Sequence, residues 1–354
     1  MKPQMTPRER ILAAINHQPT DRIPLDYWGV SEITQKLFDH FNVHDMLGLA
    51  KAMELDMIMW AGPTMTAPGR HGDWNVQMKT IPLPDGSGFY DEPVAHPLAN
   101  YETIDEIEAN YTWPTTDMYD YSTIKQRCQE LHKEGYAVSS GYISLSYFYE
   151  MIRGGEQMLL DLAAEPEIAE HIISRINEFA HAHVRKILEA ADGLIDITQV
   201  TDDFGWQQGL RMSPAMIDGY FGKYYDKNTT LAEEFNAKVF HHDDGAIMEL
   251  IPWLIEKRCK ILNPLQWHLP GWDLSKLKSE HGCDLCFHGG IDNQEIMPFK
   301  GPKEVAEEVR TCIDILYSDN TGYILAPCHN IQACTPLENV LTMYETAKTY
   351  GQAK

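Results

Sequence analysis

Short apolar runs bounded by turn residues recur along the chain and alternate with segments whose apolar positions repeat every three to four residues. The first run, Ile23-Pro24-Leu25-Asp26-Tyr27-Trp28, is too short for a helix and reads as a strand. Seven similar runs follow, over Asp56 to Trp60, Tyr136 to Ser140, Leu194 to Val200, Lys238 to His242, Lys260 to Pro264, Asp284 to His288 and Tyr323 to Pro327. The clearest helical segment between them carries Ile168, Ile172, Ile176, Phe179, Val184 and Ile187 on one face and stops at Gly193. Ahead of the first run, Thr6-Pro7-Arg8-Glu9 is a capping box with proline in the first helical position, followed by Ile11, Leu12 and Ile15, and it predicts a short opening helix.

Eight strands with intervening helices predict an α/β fold, a (β/α)8 TIM barrel with an N-terminal helical extension. A doubly wound open sheet is the rival, but its Gly-x-Gly-x-x-Gly turn is missing after the first strand, and so is a P-loop. The rhythm breaks from about residue 61 to 110, where prolines cluster and Pro84-Asp85-Gly86-Ser87-Gly88 forms a turn between apolar ends. That stretch predicts a hairpin-bearing insertion after strand two, lying across the barrel mouth. No fixed-period repeat, low-complexity tract or linker divides the chain, so residues 1–354 read as a single domain.

Composition narrows the partners. With 44% apolar and 23% charged residues in 354, the chain can bury a sizeable core and is neither disordered nor fibrous. Its 29 basic and 52 acidic side chains leave a formal charge of −23, a field that repels phosphate backbones and anionic lipid. Nucleic acid and membranes are therefore poor partners. No apolar stretch has the length of a signal sequence or a membrane span, and a cytoplasmic location is expected. Seven cysteines, an odd number in a chain this long, read as reduced thiols.

Parallel barrels place their chemistry at the carboxyl ends of the strands, and here those ends are polar. Thr201-Asp202-Asp203, His241-His242-Asp243-Asp244-Gly245, His288-Gly289-Gly290-Ile291-Asp292 and Cys328-His329-Asn330 converge on one face. Alternation along a strand points His242 and Asp244 the same way and His241 and Asp243 the other. With Cys328 from the last strand, His242 and Asp244 make a nitrogen, oxygen and sulfur set that suits Zn²⁺ with one open position. The competing reading is a hydrogen-bonded His-Asp pair beside a buried thiol. Cys283-x-x-Cys286 leads into a strand, whereas a thioredoxin-type pair opens a helix. Aromatic residues Tyr142, Tyr147 and Trp206 follow strand ends and offer walls for a flat apolar substrate, with packing as the alternative role. Glu150 reads equally as an acid, a further metal ligand or a helix-start charge partner.

Several of these segments carry a family pattern. Met5-Thr6-Pro7-Arg8-Glu9-Arg10, Asp21-Arg22-Ile23-Pro24, Phe240-His241-His242-x-Asp244-Gly245, Leu262-Asn263-Pro264-Leu265-Gln266, His288-Gly289-Gly290-Ile291-Asp292 and Ile324-Leu325-Ala326-Pro327-Cys328-His329-Asn330-Ile331-Gln332 resemble the uroporphyrinogen decarboxylase superfamily over nearly the whole chain. Within it the chain is more similar to corrinoid-dependent methyltransferases and O-demethylase components. The decarboxylases bind a polycarboxylated tetrapyrrole with an arginine-rich segment after the first strand, where this chain has Asp26-Tyr27-Trp28-Gly29-Val30-Ser31. Buried carboxylates without partners there would be prohibitive. The thiol-methylating relatives hold zinc with a His-x-Cys pair and a later cysteine, which maps onto His242, Asp244 and Cys328, with aspartate replacing the first cysteine.

The resemblance thus implies a zinc-dependent enzyme that demethylates a methoxylated, by expectation aromatic, substrate and passes the methyl group to a Co(I) corrinoid. Its implied metal set is His242, Asp244 and Cys328. Asp202, Asp203, Glu150 and His329 are the candidate catalytic groups, and Tyr27, Trp28, Tyr142, Tyr147, Trp206 and His288 the candidate substrate contacts. The harder oxygen ligand suits polarisation of an ether oxygen. Corrinoid carriers of the familiar type use an Asp-x-His motif that is missing from this sequence, so the corrinoid should come from a partner protein. A decarboxylase-like lyase and a methylamine, betaine or methanol donor stand as alternatives, and homo-oligomerisation is left open.

Overall fold

A computed structural model describes residues 4–66, 74–82 and 88–352. Seven parallel strands form one curled sheet: β1 (Met59–Trp60), β2 (Val138–Ser144), β3 (Ile197–Thr201), β4 (Lys238–His242), β5 (Ile261–Asn263), β6 (Cys286–Ile291) and β7 (Tyr323–Pro327). Neighbours in the sheet are neighbours in sequence. That order has no reversal point, which a doubly wound sheet requires, and the fold is TIM-barrel-like.

The Ile23–Trp28 run makes single bridges where a full strand was expected. Leu25 bridges Leu325 in parallel, and its carbonyl accepts from the Asp56 N–H at 2.7 Å, so the segment spans the two edges of the sheet. Pro24 has no N–H to give a ladder, and the Leu25 N–H goes to the Asp56 carboxylate at 3.0 Å.

The sheet encloses a small apolar cluster at its N-terminal end. Helix Pro7–Ile15 starts with the expected capping box, in which Thr6 and Glu9 bond each other's backbone N–H groups, and delivers Ile11, Ala14 and Ile15. They pack with Ile197, Phe240, Ile261, Cys286 and Ile324, which come from successive strands. Arg10, almost fully buried, fixes this helix through ion pairs to Asp21 and Asp56. The larger core lies outside the sheet, where helix Pro166–Ala191 buries Ile168, Ile172, Ile176 and Val184. It ends with Asp192 at φ 53° and Gly193 at φ 78°.

Within the insertion, Gln77–Pro82 and Phe89–Ala95 pair antiparallel. The Phe89 N–H donates to Glu32 at 3.4 Å, which sets this ladder beside the helix leaving the Ile23–Trp28 segment. Of the expected turn, residues 84–87 lie outside the described residues. No helix among the described residues is long and apolar enough to cross a membrane.

Candidate active site at the carboxyl ends of the strands

His242 ends β4, and Asp244 follows where Gly245 turns the chain at φ 109°. A side chain at Gly245 would strike the backbone of Trp206, so only glycine lets the Gly205–Trp206 segment approach this closely. The His242 Nε2 lies 3.8 Å from an Asp244 carboxylate oxygen, and the His329 Nε2 lies 3.7 Å from the same oxygen. One ligand atom from each of these three residues falls within 4.8 Å of the others, the spacing of a metal site. Asp244 Oδ1 is buried and has no hydrogen-bond partner among the described residues.

Thus His329, not Cys328, is the third side chain brought to His242 and Asp244. Strict alternation along β7 would turn Cys328 inward with Ile324, but the strand ends at Pro327 and the chain bends at the next two residues. The Cys328 thiol is instead buried and donates to the Leu265 carbonyl at 3.1 Å. Burial pushes that thiol well above its ordinary pKa, which keeps it protonated. Burial also lowers the His329 imidazole, while the charge of Asp244 pulls it the other way.

Behind His242 runs a polar chain that the sequence did not reveal. The His242 Nδ1 lies 2.6 Å from Asn263 Oδ1, Asn263 Nδ2 lies 2.8 Å from the His288 Nδ1, and the His288 Nε2 lies 2.9 Å from Asp26 Oδ2. Asn263 and His288 have no solvent exposure and Asp26 has 1%. His288, expected at the substrate, is therefore a buried link in this chain. Trp28 donates its indole N–H to Asp26 at 3.2 Å and sets its ring 5.7 Å from both His242 and His288. It is the floor of the mouth, placed by its stacking on Phe240.

The remaining candidates divide by side-chain direction. Tyr27 faces away from the lumen: it is buried against Tyr344, bonds Thr34, and burial pushes its phenol up to about 12. Asp202 is fully buried and binds the start of helix Leu145–Arg153, accepting from Ser144 Oγ at 3.0 Å and from Ser146 N at 2.6 Å. Burial raises its pKa to about 6 against those hydrogen bonds. Asp203, half-buried, keeps one carboxylate oxygen unpartnered among the described residues. Glu150 is held by Arg211 at 2.7 Å. Tyr142 packs edge-on against Phe148, while Tyr147 and Trp206 are 37% and 62% exposed and stand on the rim.

A cleft of about 440 Å³ opens beside Asp244 and His329 and is completed by Gln266, Asn293, Gln332 and Phe299 among others. Among the described residues its lining carries carboxamides and one carboxylate, and neither lysine nor arginine.

Comparison with known proteins agrees with this architecture. Residues 96–350 match the model of the uroporphyrinogen decarboxylase (URO-D) family. A methyltransferase from Methanosarcina mazei superposes with a TM-score of 0.70 at 14% identity, covering 98% of this chain and 99% of its own. A xylanase B from Clostridium stercorarium F9 gives 0.39 at 12% identity over 67% and 84% of the two chains. No curated protein matches the sequence. With the family pattern running through most of the chain and a curled parallel sheet carrying it, the protein belongs to the uroporphyrinogen decarboxylase family.

Proposed function

We propose that this protein is a zinc-dependent methyltransferase that demethylates a methoxylated, aromatic substrate and transfers the methyl group to the Co(I) corrinoid of a separate protein. The observation that carries the reading is the meeting of His242, Asp244 and His329 at the edge of a cleft whose described lining has no lysine or arginine. Two imidazoles, one carboxylate and a buried Asp244 oxygen without a partner among the described residues fit a divalent metal with an open position. The likeness in fold to a methyltransferase supports the reaction class. A tetrapyrrole bearing many carboxylates finds no lysine or arginine among the described residues of the cleft lining, which counts against the decarboxylase alternative.

When bound, zinc would supply Lewis acidity at the ether oxygen of the methyl donor. An ether is a poor electrophile because its leaving group is an alkoxide or phenolate, so stabilising that oxygen as the C–O bond breaks lowers the barrier. Gln266 and Gln332 offer neutral donors and acceptors that orient the substrate in the cleft. Asp203, with one oxygen unpartnered among the described residues, would accept from a substrate O–H or N–H that reaches it. Trp28 closes the floor and keeps water from the inner side of His242.

The test is a spectral assay with free Co(I) cobalamin and a panel of methyl donors. Methylation of cobalt by aryl methyl ethers supports the reading. Activity confined to methylamines, betaines or methanol changes the donor, and release of carbon dioxide from a porphyrinogen without methyl transfer overturns it.

A further inference from the structure

We infer that Asp26, His288 and Asn263 form a relay that fixes His242 in its Nδ1–H tautomer, leaving the Nε2 lone pair toward Asp244 and His329. The inference follows from which atoms can only accept. Asp26 receives N–H groups from Tyr27 at 2.9 Å and Ile58 at 3.2 Å on one oxygen and from Trp28 at 3.2 Å on the other, and the His288 Nε2 lies 2.9 Å from that second oxygen. With three fixed N–H donors around it the carboxylate is held as an acceptor, so the His288 Nε2 carries the proton at that contact. In the neutral ring the His288 Nδ1 is then an acceptor and must face the amide nitrogen of Asn263.

A second, longer contact favours the same orientation of the amide. Asn263 Nδ2 also lies 3.4 Å from the backbone carbonyl oxygen of His288, which can only accept. The amide nitrogen therefore points to His288 and the amide oxygen to His242, and the 2.6 Å contact requires a proton on the His242 Nδ1. Burial of Asn263 and His288 leaves no water to substitute for any member. Fixing the distant nitrogen of a histidine is how buried partners orient a metal ligand and raise its basicity. The three residues are positioning groups. The tautomer stands on hydrogen bonding alone, whereas its use in holding a metal rests on the reading proposed above.

The experiment is nitrogen NMR of metal-free protein labelled with ¹⁵N-histidine, paired with Co²⁺ titration of the same samples. In the wild type His242 should show a protonated Nδ1 and an unprotonated Nε2. Asn263→Ala removes the acceptor and should give a mixture of tautomers, with metal affinity about 10- to 100-fold lower. Asp26→Asn should reverse the chain. The backbone N–H groups of Tyr27 and Ile58 hold the new amide oxygen, so its nitrogen donates to His288. Asn263 then turns over and His242 carries its proton on Nε2. Asn263→Asp keeps an acceptor facing His242 and should restore the wild-type tautomer that Asn263→Ala loses.

A wild-type His242 protonated on Nε2 overturns the inference, and this spectrum decides the matter even where a variant does not fold. An unchanged His242 tautomer in folded Asp26→Asn also overturns it. Correct tautomers throughout, with neither metal binding nor methyl transfer, would leave the relay standing and refute the metal reading instead.

Discussion

One strand end carries the same motif twice. His241 and Asp243 stand 3.4 Å apart with no solvent exposure, while His242 and Asp244 stand 3.8 Å apart with side chains 16% and 39% exposed. Composition and spacing are identical, and only the side of the sheet differs. The outward pair is closed into the wall: His241 contacts the Val200 carbonyl and the ring of Tyr225, and Asp243 accepts from the Gly205 N–H. Burial lowers His241 to about 4 and raises Asp243 well above the ordinary carboxylate range. The inward pair keeps a carboxylate oxygen that is unpartnered among the described residues, at an open cleft. A His-x-Asp sequence therefore becomes a structural or a chemical element according to what lies above it.

The sharpest contrast comes from truncating each aspartate. Asp244→Ala should cut methyl transfer on the order of 1000-fold, with the urea unfolding midpoint unchanged. A proportional loss of stability would erase the distinction between the pairs.

A second contrast is in pH dependence. His241 has its folded pKa depressed from 6.5 to about 4, so its neutral burial costs stability as pH falls from 6.5 toward 4. Asp202 has its folded pKa raised from 3.8 to about 6, so it costs stability as pH rises over the overlapping range. Each effect is on the order of 3 kcal/mol and they oppose. Compared with wild type by urea unfolding between pH 4 and 6, Asp202→Asn should lose on the order of 3 kcal/mol toward acid, because the substitution removes the Asp202 contribution and leaves that of His241.

At the outward pair, Asp243→Ala strands the His241 Nε2 and the Gly205 N–H inside the wall and should lower stability by about 1–3 kcal/mol. Activity per folded molecule should be retained, as read from assays corrected by circular dichroism. The smallest effect is expected at Glu150. Its ion pair with Arg211 is partly exposed, so Glu150→Gln should shift stability by less than about 1 kcal/mol. A large fall in methyl transfer in this variant would instead return Glu150 to the catalytic groups.

What the sequence disclosed depended on how local the cause was. Lys238–His242 and Tyr323–Pro327 form where their apolar runs predict, because burial and alternation are written into consecutive residues. The pairing of His242 with Asp244 was legible for the same reason. The third member was not, since the directions of Cys328 and His329 are decided by the bend after Pro327. Asp26 and His288 lie 262 residues apart, and no pattern along the chain links them. Tyr27 and Trp28 looked alike as aromatic residues after a strand. Alternation sent one behind the sheet and the other beneath His242.

The central claim is that the inward pair and His329 hold a metal. Its most direct test is the zinc content of purified wild type, His329→Ala and Cys328→Ala, measured by mass spectrometry of the elements on folded protein. The account predicts about one equivalent of zinc in the wild type and in Cys328→Ala, and almost none in His329→Ala. Zinc retained in His329→Ala and lost in Cys328→Ala, or iron in place of zinc in the wild type, would contradict it.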